Sequence, residues 1–405
     1  MRWKSSRPSC ILARSRETSL LPWAFAFAGI LCGALPTAPV ALAADRILIE
    51  EALRNRIVEA DIRGKGSISA LSMVLTKRVK EDVVVVVPPG TYFAPESKLE
   101  AQAYWSAVQI TFPFLTAERS SLDIPVVKYV LQPGFADKNT VFLIHFAPMD
   151  KIPKVLDFMV KNGMSHEAKQ LAVWVLQNPN LTRDEIDTKY YKYHTGFMIY
   201  TEEAVKADDP IHAFMALKHV GVALDVIRLY AEQASLVHAL GSQDSKVRQF
   251  AMSELVQLHA VDKTLLDSGD YKAALLRFLK HDNRSVRYRA VRGLKGQKGG
   301  DTVRALISLL SDDTTVYAYP DLLGQSYPQT IRSAVIGILT NLRDRHEDDL
   351  ISLLEDPDYK TRLAGIEMFR GSQKERVRAT LIRLSERDEY KQVRDAANEA
   401  LRKKK

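Results

Sequence analysis

The sequence predicts an α+β, multidomain chain: a signal peptide, a small β-rich domain built as an antiparallel sheet or sandwich, a helical connecting region and a C-terminal α-solenoid. Three observations carry this reading. A cationic start and an apolar stretch end in a small-residue site near residue 43. Short β-branched runs broken by Pro and Gly fill residues 62–147. A helix-turn-helix unit then recurs five times beyond about residue 233. The implied divisions are 1–43 signal peptide, 44–148 β-rich domain with an N-terminal helix, 149–210 helical connection, and 211–405 solenoid.

Arg2, Lys4, Arg7, Arg14 and Arg16 begin the leader, Leu20 to Leu35 is apolar, and Ala41-Leu42-Ala43 has the small-x-small pattern of a cleavage site. The apolar stretch is nearly long enough to act as an uncleaved membrane anchor. Pro36 and Pro39 break it ahead of the small residues, which favours cleavage after Ala43. Leu31 precedes Cys32, against a lipoprotein site. The expected product is exported, periplasmic or secreted, with no membrane span after cleavage. Both cysteines, Cys10 and Cys32, fall in the leader, so the mature chain would hold no disulfide, thiolate nucleophile or cysteine ligand. Removing the leader reduces the formal charge from +8 to about +4, too small for a dedicated nucleic-acid surface.

Residues 45–61 read as a short helix through Ile47, Leu48, Ala52, Ile57 and Ala60, ended by Gly64 and Gly66. Ile68 to Leu75, Val83 to Val87, Thr91 to Phe93, Val108 to Phe114, Val126 to Leu131 and Val141 to Phe146 form the β-rich series. Five consecutive valines cannot alternate in and out, so Val83 to Val87 is expected to be covered on both faces. Val83 to Phe93 looks like a strand and turn of a small secreted β-domain, some relatives of which form a Cys–Gln thioester. A mature chain without cysteine cannot carry that chemistry.

Met149 to Val160 and Ser165 to Leu176 read as helices, the second stopped by Asn178-Pro179. Thr182 and Glu185 have capping-box spacing. Tyr190, Tyr191, Tyr193, Phe197 and Tyr200 then interleave with Lys189, Lys192 and His194. That composition suits stacking on sugars, bases or a partner, although packing between domains is the favoured use. From Ile211 the apolar residues Phe214, Leu217, Val220, Leu224, Ile227 and Ala231 predict one long amphipathic helix.

Beyond Gln233 five turn-plus-helix units align: Asp244 to Ala251, Asn283 to Ala290, Pro328 to Ala334, Asp358 to Ala364 and Tyr390 to Ala396. Each places an arginine after a branched or apolar residue, at Arg248, Arg287, Arg332, Arg362 and Arg394. First helices precede them at Ala273 to Leu279, Val303 to Leu310, Asp349 to Leu354 and Val377 to Leu384. These units resemble HEAT repeats of the short bacterial type, whose turn reads Asp-x-x-Val-Arg-x-x-Ala, over roughly residues 230–405. The resemblance implies stacked helix pairs that serve many binding tasks. The recurrent arginines are expected to be structural, bonding the turn acid four residues earlier (Asp244 with Arg248, Asp358 with Arg362) or a neighbouring repeat's carboxylate. Asp313 to Gln329, with Tyr317, Tyr319 and Tyr327, reads as a loop inserted between the helices of one repeat and as a candidate partner-binding segment.

No catalytic motif stands out. The nine histidines are scattered, no His pair has zinc-helix spacing, and Gly-x-Ser-x-Gly and phosphate-loop patterns are missing. His145 sits in an apolar strand, where a satisfied core histidine is favoured over a ligand role. Asp208-Asp209, Asp312-Asp313 and Asp348-Asp349 sit at expected helix starts or turns, where negative charge is favourable. No cofactor or metal is expected. The expected function is a non-enzymatic scaffold of a bacterial envelope that binds another protein through Tyr317, Tyr319 and Tyr327, with Tyr190, Tyr191 and Tyr193 as a second candidate set. The alternative is an envelope-polymer hydrolase with its active site in the N-terminal domain. HEAT-like relatives include bilin lyases and DNA-repair glycosylases, which export and the modest charge disfavour.

Overall fold

The computed structural model describes residues 45–66, 69–96, 103–114, 118–128, 138, 140–145, 151–183, 185–186, 206–320 and 326–402, without the side chains of 317–320 and 326–328. The expected signal peptide and Tyr190, Tyr191 and Tyr193 lie outside the described residues.

The β-rich region runs β1 (Asp45–Leu48), α1 (Ile49–Arg54), β2 (Val58–Gly64), β3 (Ala70–Lys77), β4 (Val83–Val87), β5 (Tyr92–Pro95), β6 (Tyr104–Ser106), β7 (Ile110–Phe114), β8 (Arg119–Lys128) and β9 (Phe142–His145). The helix expected over 45–61 is therefore only α1, flanked by two strands. Period two over Val58, Ala60 and Ile62, with Val58 and Ile62 buried, prevails over the helical spacing of Ile57 and Ala60. A six-stranded antiparallel sheet has the order β2-β3-β8-β6-β5-β9. An antiparallel bridge between Arg63 and Val141 brings its two edges back together. The second sheet, β1-β4-β7, is mixed, because β1 runs parallel to β4. Both sheets fill one core, with Leu71, Met73, Val85, Phe93, Phe112 and Phe114 all fully buried.

Val83, Val85 and Val87 of β4 face that core, whereas Val84 and Val86 are only half-buried, so the cover expected on both faces is full on one and partial on the other. The strand alternates because β1 and β7 pair it into a sheet with one core face. His145 also departs from expectation. Phe142 is buried, but Leu143 and His145 lie on the exposed face of β9.

The helices follow: α2 (Lys151–Lys161), α3 (His166–Gln177), α4 (Asp208–His219), α5 (Arg228–Ala231), α6 (Ala234–Ala239), α7 (Ser245–Gln257), α8 (Lys263–Ser268), α9 (Tyr271–Phe278), α10 (Arg284–Gly293) and α11 (Gly300–Ile307). A hairpin, β10 (Thr315–Pro320) and β11 (Ser326–Thr330), precedes α12 (Ile331–Leu342). Then come α13 (Glu347–Ile351) with a 3-10 turn (Ser352–Glu355), α14 (Tyr359–Met368), α15 (Glu375–Arg387) and α16 (Lys391–Leu401).

Ser165 caps α3 by accepting from the Ala168 amide at 3.1 Å. The Thr182–Glu185 capping box forms as its spacing predicts, with reciprocal amide bonds of 3.0 and 3.1 Å. The single long helix expected from Ile211 to Ala231 does not form. It ends at His219, where Gly221 takes φ +74° and the Val222 amide reaches back to Leu217 O at 2.9 Å. That is a Schellman end, and the apolar spacing resumes beyond it in other elements.

Ile152 and Leu156 of α2 and Val173 of α3 pack against Trp105, Ala107 and Val127, joining helices and sheet through an apolar seam. Gln170 of α3 completes the seam. Its amide donates to Lys128 O at 2.9 Å and accepts from Lys128 N at 2.7 Å, which satisfies the buried end of β8. The helical core runs without interruption from Val155 to Ala400, across the expected boundary at 210. Within it α6 packs on α10, α10 on α12, α12 on α14, and α14 on α16. Gly241, just past α6, permits the closest approach: a Cβ there would lie 2.3 Å from Gly293 O.

Candidate partner-binding surface

The turns that open the second helices share one hydrogen-bond pattern. A side chain two residues before each cap accepts from the cap amide: Ser242 from Asp244 at 3.0 Å, His281 from Asn283 at 3.0 Å, Asp356 from Asp358 at 2.8 Å, and Asp388 from Tyr390 at 2.9 Å. The repeat arginines close the same turns. Nη1 of Arg248 donates to Ser242 O and Gln243 O at 2.7 and 2.9 Å. Arg287 does so to His281 O and Asp282 O, both at 2.9 Å, and Arg362 to Asp356 O and Pro357 O at 2.7 and 3.0 Å. Arg394 repeats it with Asp388 O and Glu389 O at 2.6 and 3.0 Å.

The expected pairing of Asp244 with Arg248 and of Asp358 with Arg362 is replaced by capping. Asp244 accepts from the Lys246 amide at 2.8 Å, and Asp358 from the Lys360 and Thr361 amides at 3.3 and 3.1 Å. A cap acid whose oxygens face its own helix amides is drawn to those donors first. Burial alone would raise the Asp358 pKa, but the Thr361 hydroxyl and these amides hold it below the usual carboxylate range.

The outer edges of two arginines reach the next turn. Nε of Arg287 meets Asp312 at 3.1 Å, and Arg362 grips Asp388 with Nε and Nη2 at 2.9 and 3.1 Å. Arg332 departs from the pattern, since the inserted strands replace its turn. It bonds Lys360 O at 2.9 Å and Asp313 at 3.3 Å, and Lys360 also reaches Asp313 at 2.6 Å. The Lys360 bond chiefly holds the Asp313 carboxyl low. Asp312 is held low as well, because bonds from Thr314 and Arg287 outweigh its partial burial. Of the other paired acids, Asp348 and Asp349 lie in the first turn of α13. Asp209, in the first turn of α4, is buried and bonded to Ser165 at 2.5 Å, and burial raises its pKa.

The segment expected as an inserted loop is a two-stranded ribbon. Its register sets Tyr319 opposite Tyr327 and Tyr317 opposite Gln329, with an irregularity between Thr315 and Tyr317. The base is anchored in the helices. Val316 is buried in their core, and Thr330 and Ser333 form a capping box that fuses β11 to α12. The side chains of Tyr317, Tyr319 and Tyr327 lie outside the described residues.

Three recesses open among the described residues. One of about 460 Å³ lies between turns and is lined by Arg248, Tyr271, Lys272, Lys295 and neighbouring backbone. Sequence reasoning missed Lys272 and Lys295, which belong to no repeat position. A second, of about 330 Å³, holds the triad Lys218–Glu254–Tyr230, with both Glu254 oxygens engaged at 2.7 and 2.8 Å. Burial, then the Glu254 bond, pushes the Tyr230 pKa up. The third, about 330 Å³ at the seam of sheet and helices, is lined by Glu50, Tyr92, His145, Pro153, Lys154 and Asp157. Asp157 is engaged by Lys161 at 2.7 Å. No three His, Cys, Asp or Glu side chains converge as a metal site among the described residues. No helix among them is long and apolar enough to cross a membrane.

No curated protein matches this chain. A family model described as HEAT repeats matches residues 321–402, from the hairpin through α16, where the Arg362 and Arg394 turns repeat one bonding scheme. Residues 321–402 of this chain are a HEAT-repeat segment.

Proposed function

We propose that the protein is an exported, non-enzymatic scaffold of a bacterial envelope, whose HEAT-like solenoid and inserted hairpin grip a protein partner. The observation that carries this is the hairpin itself. Among the described residues the two strands pair only with each other and rise from a base locked into α12, while the packed helices around them supply a frame. Such an insertion adds surface that the stack does not need for its own packing. The leader composition supports export, and HEAT repeats commonly serve protein binding.

Replacing residues 318–328 by Asn-Gly preserves Asp312, Asp313 and Thr330 and so keeps the anchoring bonds. In-cell cross-linking of the intact chain should capture an envelope protein that the shortened chain no longer captures. Equal capture by both would remove the hairpin from the interface. Mass spectrometry of the same material should find Ala44 as the first residue in the envelope fraction. The hydrolase alternative draws support from the seam recess, whose lining includes Glu50, His145 and Asp157. Turnover of an envelope polymer that is lost on Glu50→Gln would establish it.

A further inference from the structure

We propose that the recess beside Arg248 binds an aspartate or glutamate side chain of the protein partner, with the Arg248 guanidinium as its receptor. The inference rests on the scaffold reading and names the chemistry of one contact within it.

The molecule itself shows what this arginine's outer edge takes. Arg287 and Arg362 each have two tasks: Nη1 closes their own turn, and the Nε edge receives an aspartate from the following turn, Asp312 or Asp388. Arg248 performs the first task with Ser242 O and Gln243 O. For the second, Arg248 faces the start of α9 and the end of α10 across the recess rather than the next turn's acid. No carboxylate is bonded to Arg248 among the described residues, and its bonds there use Nη1 alone. Its Nε and Nη2 donors are thus left over beside a recess.

The surroundings suit a carboxylate. The Arg248 guanidinium lies over the Tyr271 ring at 5.3 Å, which holds the fork without using its donors. Lys272 and Lys295 line the same recess, and Asp301 fixes Lys272 at 2.6 Å. The one acid on the wall, Asp270, spends an oxygen on the Ala273 amide at 2.9 Å. At about 460 Å³ the space admits a side chain together with the backbone that carries it. A planar fork flanked by cations favours bidentate carboxylate capture.

The test uses the chain from Ala44 to Lys405 and calorimetric titration with an acetylated tetra-aspartate amide. Tetra-asparagine amide and inorganic phosphate serve as comparison probes. Tetra-aspartate should bind, weaken with added salt, and lose at least tenfold in affinity on Arg248→Gln. Arg376→Gln, on the exposed face of α15, should change affinity less than twofold. Arg248→Lys offers an independent variant: it keeps the charge but removes the planar fork, so it should also weaken peptide binding. Unchanged affinity in both Arg248→Gln and Arg248→Lys overturns the proposal, as does failure of tetra-aspartate to bind, or equal binding of tetra-asparagine. Phosphate binding that depends on Arg248 without peptide binding also overturns it. The hairpin-shortened chain should bind the peptide normally. Loss of partner capture there, with peptide binding retained, therefore tests the hairpin assignment separately.

Discussion

Asp388→Ala isolates the energetic worth of one buried ion pair in the HEAT-repeat segment. The Arg362 and Asp388 side chains are only 8% and 5% exposed, and they share two short bonds of 2.9 and 3.1 Å. The substitution leaves Asp388 O in place, so the Arg394 bond at 2.6 Å survives and only the carboxylate is removed. Arg362 keeps Asp356 O and Pro357 O on Nη1 but loses its partners on Nε and Nη2. Glu389, 3.8 Å from Nη2 and largely exposed, compensates weakly. Stripping one partner from a buried pair costs about 3–5 kcal/mol, and the Tyr390 amide loses a bond worth about 1 kcal/mol. With Glu389 retaining part of the field, the expected loss is about 3–4 kcal/mol. Arg376–Asp348, at 2.7 Å but 67% and 90% exposed, is the contrast, and Arg376→Ala should cost less than about 1 kcal/mol. Stacked repeats can open piecewise, so native-state hydrogen exchange of α14 and α16 amides is the proper assay. A cycle with Arg362→Met should show the double variant less destabilised than the sum of the singles. A loss within about 1 kcal/mol of wild type, or strict additivity, would refute the reasoning.

Gly241→Ala should destabilise by about 1–3 kcal/mol in urea unfolding, because its Cβ meets the Gly293 backbone and α6 must move off α10. Gly337→Ala, inside α12 with open space around it, should instead gain roughly 0.5–1 kcal/mol, so the same exchange is expected to change sign between the two sites. Burial at the seam of sheet and helices pulls the Lys128 pKa down to about 8. The unfolded chain, titrating near 10.4, then binds the extra proton between those values, so stability should rise with pH across that window by about 3 kcal/mol. Lys128→Met should raise stability at pH 7 and flatten that part of the pH profile. An unchanged profile would show that the ammonium is already solvated in the folded chain.

Features whose partners lie within a few residues were legible in the sequence. The Thr182–Glu185 box needs only its own turn to form, and it does. The strand runs of the β-rich region are likewise local, since β-branching and Pro/Gly breaks act along the chain. Failures came where a local period had two readings or a partner lay far away. Apolar spacing from Ile211 to Ala231 continued through a helix end that Gly221 alone signals. The helical spacing of residues 45–61 competed with period two, and pairing with β3 and β4 decided it. Gln170 satisfying Lys128 across 42 residues has no local signature at all.

The turn edge lies between these cases. An arginine at a fixed place in each repeat was readable, but its bond to the turn carbonyls and its reach to the next turn's aspartate depend on how repeats stack. Asp312 and Asp388 serve the arginine of the preceding turn, whereas Arg248 faces the start of α9 and the end of α10 and pairs with no acid among the described residues. A repeat tolerates such a gap because each unit is held by its neighbours, so the fold does not require every rung. Selection for packing alone would favour an acid facing Arg248 from within the chain, since it would neutralise the guanidinium. The combination of an arginine without an acidic partner among the described residues and a cation-lined recess is therefore the place where local consistency is given up for something outside the chain.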